Sequence, residues 1–260
     1  MDKYADCAAS KDKLSLAPMA AVNKIDLWQL SLDKPDFAID KMSGLLSPDE
    51  VLRAKRFHFT KDRDRFIFVR ASLRIILGDY LELDPALVGF RYGKAGKPYL
   101  SETINPHNLN FNVSHSGGVA LAVVARDREV GVDVEQIRPH IDLHEIAVQF
   151  FSQPEVAELF ALPVDQQPAG FFNCWTRKEA YVKATGIGLS FPLDSFGVSL
   201  KPGEPARLTF VNDNAFEKRH WTLRDVSPAP GYAAALAVEG SGYEICFKNS
   251  ISSAAFRASL

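Results

Sequence analysis

Hydrophobic and polar positions alternate with period two near the start of the chain and through much of its second half, with helical spacing between these stretches. Ile25-Asp26-Leu27-Trp28-Gln29-Leu30-Ser31-Leu32 alternates as a half-buried strand does. Ser47-Pro48-Asp49-Glu50 carries the start signals of a helix, with Ser47 as N-cap, proline in the first turn and Glu50 closing a capping box. Phe66, Val69, Leu73, Ile76, Leu77 and Tyr80 recur at helical spacing, which predicts a helix from near Asp62 to Leu81 whose other face carries Arg63, Arg70 and Arg74. From Phe90 the period returns to two. Gly93 and Gly96 punctuate a hairpin, Leu109, Phe111 and Val113 alternate with polar neighbours, and Val119 to Ala125 reads as a buried strand. A strand over Glu129 to Ile137 leads into helical segments at Leu143 to Phe151 and Pro154 to Phe160, then a helix over Gly170 to Thr185 closed by Gly186. Five further strands follow: Phe196 to Leu200, Ala206 to Val211, Trp221 to Val226, Tyr232 to Val238 and Glu244 to Phe247.

The order strand, helices, strands thus occurs twice, which predicts an α+β protein of two similar halves. We place a loose extension at 1–23, an N-terminal half at 24–127, a C-terminal half at 128–249 and a tail at 250–260.

Composition narrows the function classes. The 30 Lys and Arg nearly cancel the 32 Asp and Glu, leaving a net charge of -2, so no global field draws in nucleic acid or anionic lipid. Cys7, Cys174 and Cys246 are odd in number and far apart, unlike a zinc site or disulfide framework, and read as reduced thiols. No apolar run approaches the ~18 residues needed to span a bilayer, and the acidic start suits a secretory signal poorly. The expected address is cytoplasmic.

Candidate chemistry concentrates in three segments. In Val130-Gly131-Val132-Asp133-Val134-Glu135 the strand period puts Asp133 and Glu135 on one face. Two such carboxylates need a compensating cation if buried, and all-oxygen ligation points to Mg²⁺ or Mn²⁺; an isolated D-x-E is more often a sheet edge facing water. In Trp175-Thr176-Arg177-Lys178-Glu179-Ala180-Tyr181-Val182-Lys183, Glu179 and Lys183 share a helical face, either as an ordinary surface pair or, given the apolar setting, as part of a metal and phosphate site. Phe111-Asn112-Val113-Ser114-His115-Ser116-Gly117-Gly118 runs from a strand into a small-residue turn, which is either an ordinary turn or a phosphate cradle of free backbone N–H groups with His115 as a further donor. Arg53, Lys55, Arg56, Lys61, Arg63 and Arg65 form a basic cluster that reads first as a solvated face. His140 and His144 have metal-ligand spacing but lack an evident partner set.

Taken in order, Gly96-Lys97-Pro98, Asn112-Val113-Ser114-His115-Ser116, Gly131-Val132-Asp133-Val134-Glu135 and, some forty residues later, Trp175 to Lys183 resemble the signatures G-K-P, N-[IV]-S-H-S, G-[IV]-D-x-E and W-[ST]-x-K-E-[AS]-x-x-K of the Sfp-type 4′-phosphopantetheinyl transferases. The match runs from Ser47 to Leu189. It implies that family's fold, two pseudo-symmetric α/β halves with the active site between them. It also implies transfer of the 4′-phosphopantetheine arm of CoA to a serine of an apo acyl or peptidyl carrier protein, with release of adenosine 3′,5′-bisphosphate. By the resemblance, Asp133, Glu135 and Glu179 would hold Mg²⁺, with Mn²⁺ as the substitute. Lys183 would pair with the diphosphate, and Ser114 and His115 would contact the diphosphate and 3′-phosphate. Lys97 and Pro98 would border the adenine, and Arg53 and Arg65 match basic positions for the 3′-phosphate, where one family lysine is replaced by Glu50. The catalytic candidates are Glu179, Lys183 and His115, with Glu179, or a water it orients, as the base. A monomer is expected, since both walls of the cleft would come from one chain. Two other readings remain at this point: a non-catalytic module that binds CoA or a carrier protein, and a metal-dependent phosphohydrolase.

Overall fold

The computed structural model describes residues 23–33, 39–138, 142–188, 191–211 and 220–249. The first half begins with strand β1 (Lys24–Ser31) and helices α1 (Ile39–Ser43), α2 (Pro48–Ala54) and α3 (Thr60–Leu81). Hairpins β2 (Phe90–Tyr92) with β3 (Pro98–Leu100) and β4 (Leu109–Ser116) with β5 (Val119–Arg126) complete it. The second half repeats this order with β6 (Val130–Gln136), α4 (Leu143–Phe150), α5 (Gln153–Phe160), α6 (Gln167–Thr185), β7 (Phe196–Val198), β8 (Leu208–Val211), β9 (Trp221–Val226) and β10 (Tyr232–Glu239). The repeat extends to the sheets, whose strand orders β1-β5-β4 and β6-β10-β9 correspond one to one. The chain is therefore α+β with two pseudo-symmetric halves, as expected.

Strand β11 (Glu244–Asn249), the last among the described residues, departs from the repeat. It crosses to the first half's sheet and pairs in parallel with β1, with Ile25 opposite Ile245 and Leu27 opposite Phe247. Lys248 of β11 also reaches Asp26 of β1 at 3.7 Å. A cut at Asp127 consequently does not yield two self-contained sheets.

The alternation read from the sequence sorts residues between layers. Leu30, Ala120, Ala122 and Val124 face α3. Ile25, Leu27, Leu121 and Val123 point the other way and pack against Val130, Val132, Val134, Leu236 and Val238 of the second sheet. That sheet's far face, with Ala233, Ala235 and Ala237, meets α6. The result is four layers, helix on sheet on sheet on helix, with the central core shared between halves.

The halves also repeat a polar device. Ser47 and Ser152 open α2 and α5 with capping boxes closed by Glu50 and Glu155. Each glutamate is buried and is met by a cation from the long helix, Arg74 Nε on Glu50 at 2.8 Å and Lys178 Nζ on Glu155 at 2.8 Å. Arg74 further donates to the carbonyl of Val88 at 2.9 Å, and Lys178 to those of Leu193 and Phe196 at 2.7 and 2.6 Å. Arg70 and Arg74 accordingly do not lie on a solvated face of α3; both are buried around Glu50. Arg63 alone of the three pairs at the surface, with Asp64.

Candidate active site

Gly131 determines how closely α6 approaches β6. A Cβ at this position would lie 2.2 Å from the Ala180 carbonyl oxygen and 2.3 Å from the Ala184 nitrogen. The residues of β10 opposite Gly131, Asp133 and Glu135 are Ala237, Ala235 and Ala233, so the helix rests on a floor of small side chains. This close packing sets Glu179 and Lys183, one turn apart on α6, beside Asp133 and Glu135 on β6. All four line one cavity of about 420 Å³, together with Ser114, His115 and Trp175. A second cavity of about 260 Å³ shares Glu179 and Lys183 and is bounded by Lys97, Pro98, Asn112 and Gly186.

Strand β4 forms the opposite wall. Its period two turns Asn112, Ser114 and Ser116 toward β6, where Asn112 Oδ1 accepts from the Val132 N–H at 3.1 Å. Ser114 Oγ donates to Asp133 Oδ1 at 2.8 Å, and Ser116 Oγ donates to Glu135 Oε2 at 2.7 Å. Lys183 Nζ donates to Asp133 Oδ1 at 2.5 Å and to Ser114 Oγ at 3.1 Å. His115, between Ser114 and Ser116 on β4, also borders the cavity. Its ring is held below the usual histidine range by burial first, then by the positive charges of Lys183 and Arg65.

The acids carry more charge than Lys183 alone offsets. Asp133 is 2% exposed and Glu179 7%. Burial pushes the Glu179 carboxyl above its ordinary value, against the pull of Lys183, and burial likewise raises Glu135 despite the Ser116 hydrogen bond. Asp133 Oδ2 and Glu179 Oε1 are buried without a hydrogen-bond partner. Orphaned carboxylate oxygens in an all-oxygen donor set fit a hard divalent cation. Among the described residues, however, no three His, Cys, Asp or Glu side chains are close enough in their present rotamers to share one ion. Lys183 takes the cationic position at Asp133 instead.

The remaining candidates divide. Arg65 pairs with Asp33 at 2.9 Å and acts electrostatically on His115, while Arg53 lies with its guanidinium over Phe66 and fronts a separate cavity beside Arg56 and Phe57. Lys97 borders the second cavity, but its Nζ is committed to Glu129 and the Ala184 carbonyl, both at 2.8 Å, so its amine staples the β2–β3 hairpin to the end of α6. Glu50 is a buried partner of Arg74. The Gly117-Gly118 turn is not an open cradle of backbone donors: the Gly118 N–H donates to Tyr232 Oη at 2.9 Å. His144 packs against Phe160, and His140 lies outside the described residues. Sequence reasoning passed over Ser116 and the placement of Trp175 in the cavity wall. Ser116 was detectable from the same period-two count that pairs Asp133 with Glu135.

Two family models cover most of the chain, the 4′-phosphopantetheinyl transferase superfamily over residues 129–237 and the 4′-phosphopantetheinyl transferase N-terminal model over residues 28–127. Among named relatives, the 4′-phosphopantetheinyl transferase HetI of Nostoc sp. is 39% identical over 222 residues, 85% of this chain and 90% of HetI. The 4′-phosphopantetheinyl transferase Sfp of Bacillus subtilis is 34% identical over 62% of this chain and 69% of its own. A phosphopantetheinyl transferase of Thraustochytrium sp. is 29% identical over 85% of this chain and 80% of its own.

Proposed function

The chain belongs to the 4′-phosphopantetheinyl transferase family, and from that premise we propose that CoA binds in the cleft between the halves with its diphosphate facing Asp133, Glu135, Glu179 and Lys183. As an enzyme of this family, it moves the 4′-phosphopantetheine arm onto a carrier protein. The observation that carries the site assignment is the convergence of three acids and a lysine on one cavity, two of the acid oxygens being buried and unpartnered.

In this reading Asp133, Glu135 and Glu179 hold Mg²⁺, for which Mn²⁺ substitutes by the same donor chemistry. When bound, the cation supplies positive charge to diphosphate oxygens as the leaving group departs. Lys183 Nζ donates hydrogen bonds to the same phosphates, exchanging Asp133 for the substrate. Glu179, or a water it orients, takes the proton of the carrier's serine hydroxyl; the serine oxygen bonds to the β-phosphorus, and the bond from that phosphorus to adenosine 3′,5′-bisphosphate breaks. His115 and Arg65, already close enough to sense each other's charge, bind the 3′-phosphate. Lys97 and Pro98 shape the wall beside the adenine through carbon atoms, the Lys97 amine being engaged elsewhere.

Among the described residues no helix is long and apolar enough to cross a membrane. We place the enzyme in the cytoplasm as a monomer, supported by a cleft whose two walls come from one chain and by Cys174 being a buried free thiol.

Incubation with CoA, Mg²⁺ and an apo acyl or peptidyl carrier protein should raise the carrier's mass by one phosphopantetheine arm, and Glu179→Gln should slow the reaction by about a hundredfold or more. Near-normal turnover by the variant would overturn the base assignment. Unchanged carrier mass with CoA bound would instead indicate a binding module.

A further inference from the structure

Strands β4 and β6 are facing edges of separate sheets, and they are joined by side chains instead of a backbone ladder. Two of those links end on the acids of the site, and the direction of their protons can be deduced. A serine hydroxyl has one proton to give and two lone pairs to receive with. Ser116 Oγ accepts the Gln136 N–H at 3.1 Å, and Ser114 Oγ accepts from Lys183 Nζ at 3.1 Å. Each hydroxyl proton is thereby turned toward a carboxylate, Glu135 Oε2 for Ser116 and Asp133 Oδ1 for Ser114. One oxygen of each acid is held, and the other is left over. On Asp133 that remaining oxygen is buried with no partner.

We propose that Ser114 and Ser116 are specificity-determining positioning residues that restrict Asp133 and Glu135 to one ligating oxygen each, favouring a Mg²⁺-sized cation over Ca²⁺. The proposal rests on the reading of these acids as a divalent-cation site. Mg²⁺ takes six oxygens at about 2.0–2.1 Å and draws one from each carboxylate, whereas Ca²⁺ takes 6–8 at about 2.3–2.6 Å and often takes both oxygens of one carboxylate. Two-oxygen ligation turns both oxygens of a carboxylate toward one ion and pulls the held oxygen out of line with its serine hydroxyl, Ser116 for Glu135 and Ser114 for Asp133, at the expense of that bond. The serines therefore act on cation choice without touching the cation. Asn112, on the same face of β4, makes a comparable link but ends on a backbone N–H, so it secures the seam and leaves the acids alone.

Calorimetric titration of Mg²⁺ and of Ca²⁺ into the full chain with CoA present gives the ratio of the two affinities for wild type, Ser116→Ala, Ser114→Ala and Asn112→Ala. The Ca²⁺:Mg²⁺ affinity ratio should rise about tenfold in Ser116→Ala, the usual effect of removing a group that orients a metal ligand. It should rise similarly in Ser114→Ala and stay at the wild-type value in Asn112→Ala. Ser116→Ala is the safer variant because its hydroxyl lies at the seam's half-exposed end, and a melting curve for each protein verifies folding. An unchanged ratio in both serine variants, with wild type binding cation, overturns the proposal and leaves the acid site standing. A rise in Asn112→Ala equal to that in Ser116→Ala reduces the serines to structural links and overturns it too. If wild type binds neither cation yet transfers the arm, the acid-site reading fails and the proposal falls with it.

Discussion

Replacing Gly131 by alanine probes the contact that docks α6 on β6. The added methyl carbon would sit 2.2 Å from the Ala180 carbonyl oxygen and 2.3 Å from the Ala184 nitrogen, where ordinary contact begins at 3.4 Å. Both neighbours are helix backbone, so no side-chain rotation relieves the clash, and α6 must withdraw by about 1 Å in an interior packed without spare volume. Overpacking of this kind costs about 1–3 kcal/mol, and for a chain of this size each kcal/mol lowers the melting temperature by about 2–4 °C. The same withdrawal carries Glu179 and Lys183 away from β6 and stretches the 2.5 Å Lys183–Asp133 and 3.1 Å Lys183–Ser114 contacts. Misplacement of reacting groups by about 1 Å slows chemistry by about a hundredfold. The assays are thermal melting and the rate of carrier modification with CoA and Mg²⁺. Gly131→Ala that melts within a degree of wild type and turns over within threefold of it would refute the claim that this glycine sets the site's geometry.

Two other perturbations separate fold from chemistry. Lys178→Met leaves Glu155 buried without its cation and two carbonyls without their donor, and should lose about 3–5 kcal/mol in denaturant unfolding; a loss under 1 kcal/mol would show that the buried pair contributes little. Burial holds the Glu179 carboxyl above its ordinary value of 4.5, so its contribution to stability is fully present below that value and is lost as pH rises through the folded-state value. Glu179→Gln, neutral at every pH, should therefore melt higher than wild type near neutral pH in chelator and coincide with it below about pH 4. Added Mg²⁺ should stabilise wild type more than the variant. A lower melting point for the variant in chelator at neutral pH would contradict this sign.

The elements were legible where periodicity is long and local. The strand β5, the helix α3 and the stop of α6 at Gly186, which takes a left-handed φ of 69°, follow from pattern and cap chemistry. Helix α1, with 5 residues, is too short to show a period. The pairing of β11 with β1 is non-local and leaves no mark in either segment. Arginines spaced along a helix normally mark a wet face, but Arg70 and Arg74, placed by their spacing opposite the apolar stripe of α3, are drawn inward by Glu50. The second Ser-x-x-Glu box at Ser152 was the available sign that such a buried glutamate recurs. At the site, residue types and spacing identified the acids and Lys183, whereas the contact that brings them together depends on a missing side chain at Gly131. The separation of Arg53 from the central cavity depends on how α2 packs, which no spacing encodes.

The placement of β11 has a consequence for the order of assembly. During synthesis β1 leaves the ribosome some two hundred residues before β11, its neighbour on one side. Until then the first sheet carries an open, unpaired edge of backbone donors and acceptors, a template for self-association. Ribosome stalling or truncation before Glu244 should therefore yield an aggregation-prone species even though every residue lining the central cavity has already been made.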